Sequence, residues 1–191
     1  MYFVIKGRYR RWAGGLACRN ATWDEPPSCD LFILTGLTMK FSTRQDIDLA
    51  AEGLFRAASN FPAIERLLVR RGATVRRLDD LAEPGVGMRW LIGFDWRGRH
   101  REVTAEVAQL DAPEVVVIKG GSDQFDLTIR LTVVALTRAK ARLIFETEAH
   151  PRSMKARLMV QTAKLGKAQL DRKFARRVGD FIAALVSGQH A

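Results

Sequence analysis

Three histidines, His100, His150 and His190, are the side chains of this chain best suited to proton transfer near neutral pH. None has the company such chemistry requires. His100 follows the tight turn Arg97-Gly98-Arg99, His150 precedes Pro151 at the end of an alternating run, and His190 lies in the C-terminal tail. No two of them share a metal-ligand spacing, and no cysteine accompanies them. Neither a metal nor a cofactor is therefore expected. A Gly-x-Ser-x-Gly nucleophile elbow and a phosphate-binding loop are absent. Gly85-Val86-Gly87 opens a strand-like run rather than a helix, so it reads as a hairpin turn and not as a nucleotide loop. No catalytic residue can be named on this basis.

The residues that remain are those suited to binding. Trp90, Phe94, Phe125 and Phe145 are bulky aromatics on strand-like runs, either core filler or platforms for an apolar ligand. Gln161, Thr162 and Gln169 interrupt an otherwise apolar helical stripe. A buried amide without a partner costs about 1–3 kcal/mol. These residues therefore face a wet or ligand-filled cavity, or they lie at the stripe's edge in water. Thr43, Gln45 and Thr147 pose the same alternative on strands.

The elements that must position these groups run from Met39 onward. Phe41, Thr43, Gln45 and Ile47 alternate with charged and polar neighbours, as on a strand with one buried face. Ala50 to Ser59 reads as a short helix carrying Leu54 and Phe55 inward. A second helix has Pro62 in its first turn, where the missing N–H costs nothing, and ends at Gly72. Six strand-like runs follow: 73–78, 88–96, 101–110, 115–119, 125–133 and 141–149. Met88, Trp90, Ile92, Phe94 and Trp96 occupy every second position in the clearest of them. Turns this short force antiparallel pairing. After Pro151, with Ser153 as N-cap, one long helix is expected from Met154 to about Val186. Its inward stripe is read as Met154, Leu158, Gln161, Thr162, Leu165 and Gln169, continued by Phe174, Val178, Phe181, Ile182 and Leu185. Lys155, Arg157, Lys164, Lys167, Arg172, Lys173, Arg176 and Arg177 mostly decorate the other side.

Composition is that of a soluble globular chain, 47% apolar and 27% charged, with a net charge of +10. No run is long and apolar enough to span a bilayer. With only Cys18 and Cys29, a disulfide framework is not expected, and a cytoplasmic location is. The positive charge reads first as a solvated basic face; it also admits an anionic membrane surface as a partner, through the basic C-terminal helix, with nucleic acid the less favoured partner. Residues 1–38 do not conform to the rest: they hold both cysteines and Pro26-Pro27 and show no sustained period. Arg8-Tyr9-Arg10-Arg11-Trp12 interleaves cations and aromatics, a weak sign of a binding arm. The favoured reading is an N-terminal extension, disordered or ahead of a true start at Met39, followed by one domain over 39–186 and a tail, 187–191. An intact residue-1 start in the native protein, read by mass spectrometry, would overturn that start.

The order strand, two short helices, six strands, long helix resembles the START-like, helix-grip fold, and more narrowly the SRPBCC (polyketide cyclase/dehydrase-type) superfamily. Met39-Lys40-Phe41 leading to Ile47, the pair Phe55 and Phe61-Pro62, and Pro84-Gly85-Val86-Gly87 before the tryptophan strand carry the likeness over residues 39 to about 186. The resemblance implies an α+β fold: a seven-stranded curved antiparallel sheet wrapped around a long C-terminal helix, with two short helices after the first strand. It also implies a small hydrophobic ligand, lipid-, polyketide- or quinone-like, held between sheet and helix. The expected lining is Phe41, Trp90, Phe94, Phe125, Ile129, Leu143 and Phe145 from the sheet, closed by Leu158, Gln161, Leu165 and Gln169 from the helix. On that reading Leu165→Trp fills the cavity. The alternatives are a cyclase-type enzyme using the same cavity, and a basic adaptor for anionic membrane or nucleic acid.

Overall fold

The computed structural model describes residues 38–96 and 98–187. The extension read over 1–38 lies outside them except for Thr38, as do Arg97 and the last four residues, His190 among them. The chain begins with β1 (Met39–Ile47), followed by α1 (Ala51–Ala58) and α2 (Phe61–Arg70). Six strands come next: β2 (Thr74–Arg77), β3 (Arg89–Trp96), β4 (Arg99–Asp111), β5 (Val115–Gly121), β6 (Phe125–Thr137) and β7 (Lys140–Pro151). Two helices, α3 (Met154–Leu165) and α4 (Lys167–Ser187), close it.

The strands form one seven-stranded sheet in the order β1-β7-β6-β5-β4-β3-β2, antiparallel throughout. The expected fold class and strand count are therefore present. Curvature has an identifiable source: the register slips between Val107 and Gln109 on β4 and between Ala135 and Thr137 on β6. Such bulges bend a long strand and increase its twist.

Local chemistry sets the helix ends. Asn60 caps α2 by accepting the Ala63 N–H through Oδ1 at 3.1 Å, with Pro62 in the first turn. Gly72, at φ +88°, lets the chain leave α2, and the N–H of Ala73 bonds back to the Leu68 carbonyl. Ser153 caps α3 by accepting the Ala156 N–H at 3.1 Å.

Leu54 of α1, Met88, Val107, Val116 and Leu143 are fully buried at the centre of the core. Val178, Ile182 and Leu185 of α4 join them at helical spacing, with Phe174 and Phe181 packed alongside. That half of the expected stripe faces the sheet. The long C-terminal helix is present as α4, but it does not run unbroken from Met154: the chain breaks at Gly166, whose N–H bonds to the Ala163 carbonyl and whose carbonyl accepts the N–H groups of Gln169 and Leu170. The α3 half of the stripe is turned the other way. Met154, Leu158, Gln161, Thr162 and Leu165, and Gln169 in the first turn of α4, are all exposed, while Ala156 and Val160 are buried. The reason lies in the spacing. Leu165 and Phe174 are nine residues apart, which at about 100° per residue puts them ~180° apart around a helix. Both stripes could not face one sheet.

The opposite, convex face is polar. Arg142 grips Asp46 across β1 and β7 with two bonds of 2.6 and 2.9 Å, and Lys40 meets Glu148 at 2.6 Å in the same pair of strands. At the other edge of the sheet, Asp79 bonds the Arg77 side chain and accepts the N–H groups of Arg89 (2.7 Å) and Leu81 (3.1 Å). These bonds hold its carboxyl well below the usual carboxylate range and tie β2 to the start of β3.

Candidate functional site

The concave face of the sheet holds two spaces rather than one. The larger, about 810 Å³, opens at the end of the grip where β1, β3, β4 and the β5–β6 turn approach α3. The smaller, about 250 Å³, lies deeper, between α2, α4 and the middle of the sheet. Depth follows position along each strand. On β3, Trp90 and Ile92 line the inner space and Phe94 the outer one; on β6, Ile129 and Leu131 are inner, Leu127 and Phe125 outer. Ala105 of β4 is inner, and Val103, Arg101 and Arg99 lead out to the mouth.

An aromatic cluster stands at the boundary. Phe41 lines the outer space and Phe145 the inner one, and Phe174 of α4 touches both. Its ring centroid lies 5.3 Å from that of Phe41 and 5.7 Å, edge-on, from that of Phe145. Lys167 reaches over the Phe41 ring at 5.6 Å, a cation–π contact close to the helix break.

The inner space is apolar except at one point, where Trp90 Nε1 donates to Glu65 Oε1 at 2.6 Å. Phe61 packs on the same Trp90 ring at 5.4 Å. The outer space is apolar at its floor and polar at its rim. Arg99, Arg101 and Lys155 lie on that rim, and none forms an ion pair among the described residues. Arg101 is half-buried and sits opposite Phe94 in the β3–β4 register.

Seven sheet residues were expected to line one cavity, and the structure divides them. Phe41, Phe94 and Phe125 line the outer space, whereas Trp90, Ile129 and Phe145 line the inner one. Leu143 lines neither, being fully buried in the core. The four expected helix residues, Leu158, Gln161, Leu165 and Gln169, are a correction: their side chains are exposed, and Leu165 is 90% accessible. In their place Lys155, Met159, Val160 and Ala163 of α3 face the outer space. Leu165→Trp therefore points away from both spaces.

Among the described residues no buried side-chain nitrogen or oxygen lacks a hydrogen-bond partner. Thr43, the one buried polar residue among those described, accepts from the Gln45 side-chain amide at 3.4 Å, and Gln45 lies near Gly179 of α4. Gln45 and Thr43 thus satisfy each other at the sheet–helix contact. His100 is at the outer rim, its Nδ1 3.2 Å from Asp95, and His150 Nδ1 lies 3.1 Å from the Thr38 hydroxyl; both are exposed. No group of three or more His, Cys, Asp or Glu among the described residues could hold a metal ion.

The rim arginines could have been found in the sequence. Arg99 and Arg101 share parity with Val103, Ala105 and Val107, so the alternation that turns those residues inward turns the arginines inward too.

The fold that carries these spaces is shared with solved structures. Norcoclaurine synthase from Thalictrum flavum, in complex with a transition-state analogue, superposes with a TM-score of 0.59 at 15% identity, over 81% of this chain and 97% of that one. An aromatase/cyclase from Streptomyces sp. R1128 gives 0.56 at 9% identity, over 79% and 93%. A Thermus thermophilus protein gives 0.59 at 9%, over 78% and 99%. The chain has the START-like helix-grip fold. No protein-family model matches the sequence, and no curated protein matches it. At these identities the helix-grip likeness establishes architecture only. Among the described residues no helix of this helix-grip chain is long and apolar enough to cross a membrane.

Proposed function

We propose that this helix-grip domain, residues 39–186, binds a small hydrophobic molecule, lipid-, polyketide- or quinone-like, between sheet and C-terminal helices in the cytoplasm. The observation that carries the reading is the open, apolar-floored space of about 810 Å³, within the size range of small-molecule sites. Its apolar floor supplies affinity at ~25 cal/mol per Å² buried. Arg99, Arg101 and Lys155 at the rim orient a polar or anionic end of the ligand toward solvent.

Native mass spectrometry of gently purified protein, followed by organic extraction, identifies the passenger. Ala163→Trp, which projects from α3 into the outer space, lowers retention of that ligand by about tenfold or more. Leu165→Trp, two residues along but facing outward, leaves it unchanged. Equal retention by both variants, with unchanged melting temperatures, would count decisively against the cavity.

A further inference from the structure

The outward face of α3 is apolar where a surface helix is ordinarily polar. Leu165, Met154 and Leu158 are 90%, 76% and 65% exposed, and no other large apolar side chain among the described residues is as accessible. They recur at helical spacing and form one stripe along the helix. At 1.5 Å per residue that stripe is about 17 Å long. Isolated exposed leucines are ordinary, but a row of them on one face marks a surface that something covers.

The charges around the stripe say what covers it. Lys155, Arg157 and Lys164 are interspersed with the apolar residues, and α3 contains no acidic residue at all. The first acid beyond it, Asp171, is already held by Lys167 at 2.7 Å. A helix that presents apolar side chains among cations fits a layer with hydrocarbon below and anionic groups above. A second copy of the chain is a poor fit, because α3 against α3 would bring these cations face to face with no acid on either helix. A nucleic acid is also a poor fit: its phosphates would match the cations, but α3 offers no aromatic ring for bases and its leucines would gain nothing.

We infer that α3 docks the protein on an anionic membrane surface, its Met154–Leu158–Leu165 stripe sunk at headgroup depth. The same helix lines the mouth of the outer cavity through Lys155, Met159, Val160 and Ala163. The inference stands on the exposed stripe and its cations, and not on the cavity being filled.

The test is flotation of the full chain with vesicles of phosphatidylcholine alone and of phosphatidylcholine mixed with phosphatidylglycerol. The protein floats with the mixed vesicles and far less with the neutral ones. The double variant Leu158→Gln/Leu165→Gln partitions about tenfold less or weaker still, without a change in melting temperature, since both side chains lie outside the core. Lys155→Glu/Lys164→Glu loses binding as well, and added salt weakens the wild type only in part. Three results would overturn the inference. One is no flotation with either vesicle. Another is loss in the lysine variant alone, which would mean a purely electrostatic basic surface of the kind that also takes nucleic acid. The third is a concentration-dependent dimer, seen by sedimentation, that the leucine variant abolishes. Ligand retention by the same variants is scored separately, so an empty cavity does not decide the membrane result.

Discussion

Helices α3 and α4 are consecutive, both rich in basic and apolar residues and separated by one glycine, yet they use their apolar residues in opposite ways. Helix α4 places Val178, Ile182 and Leu185 against the sheet and so closes the deep end of the grip. Helix α3 turns only Ala156 and Val160 fully inward and leaves its large apolar residues in solvent. Small inward side chains fill little of the concavity, and the larger cavity lies on that side. A hydrophobic stripe thus marks where the helix meets a partner, and the partner need not be the helix's own core.

The comparison breaks most directly at stability. Ile182→Ala should cost about 2–5 kcal/mol in denaturant unfolding, as a buried methyl-rich side chain leaves a cavity. Leu165→Ala should change stability by no more than about 0.5 kcal/mol. Comparable losses at the two sites would mean that α3 packs inward as α4 does. The junction offers a smaller, sharper test. Gly166 has φ −107°, which alanine accepts, and nothing lies near enough to clash with an added Cβ. Gly166→Ala should therefore stabilise the protein by about 0.4–1 kcal/mol while keeping the break. Destabilisation would show that the break depends on glycine.

The same contrast explains what was legible in the sequence. Strict alternation from Met88 to Phe94 and the Val178–Leu185 spacing each have one buried face, so period alone orients them correctly. The pairing from β3 to β7 follows from the short turns between those strands, whereas no turn announces that β1 pairs with β7. On α3 the large apolar residues read as inward by default, although their phase opposes that of Phe174 and Val178. Phase measured across Gly166 exposes the conflict. The division of the concave face into two spaces has no such signal. It depends on Phe174 meeting Phe41 and Phe145, side chains that lie far apart along the chain. Leu143 and Ile129 share a strand-like pattern, and only the packing above each decides which is core and which is lining.

The Asp79 clasp has a consequence for the far edge of the sheet. Its carboxyl is held below the ordinary aspartate value near 3.9, so its contribution is complete above about pH 4. That contribution drains away as the pH falls from there toward the lowered value. Acid should therefore weaken the hold of the four-residue β2 on β3, whose unpaired backbone groups would then form a new edge. An uncovered edge of that kind recruits strands from other molecules. Light scattering should rise on acidification below about pH 4, and Asp79→Asn should move its onset toward neutrality. A very short edge strand thus guards this edge of the sheet against self-association, with one carboxylate reinforcing its backbone pairing.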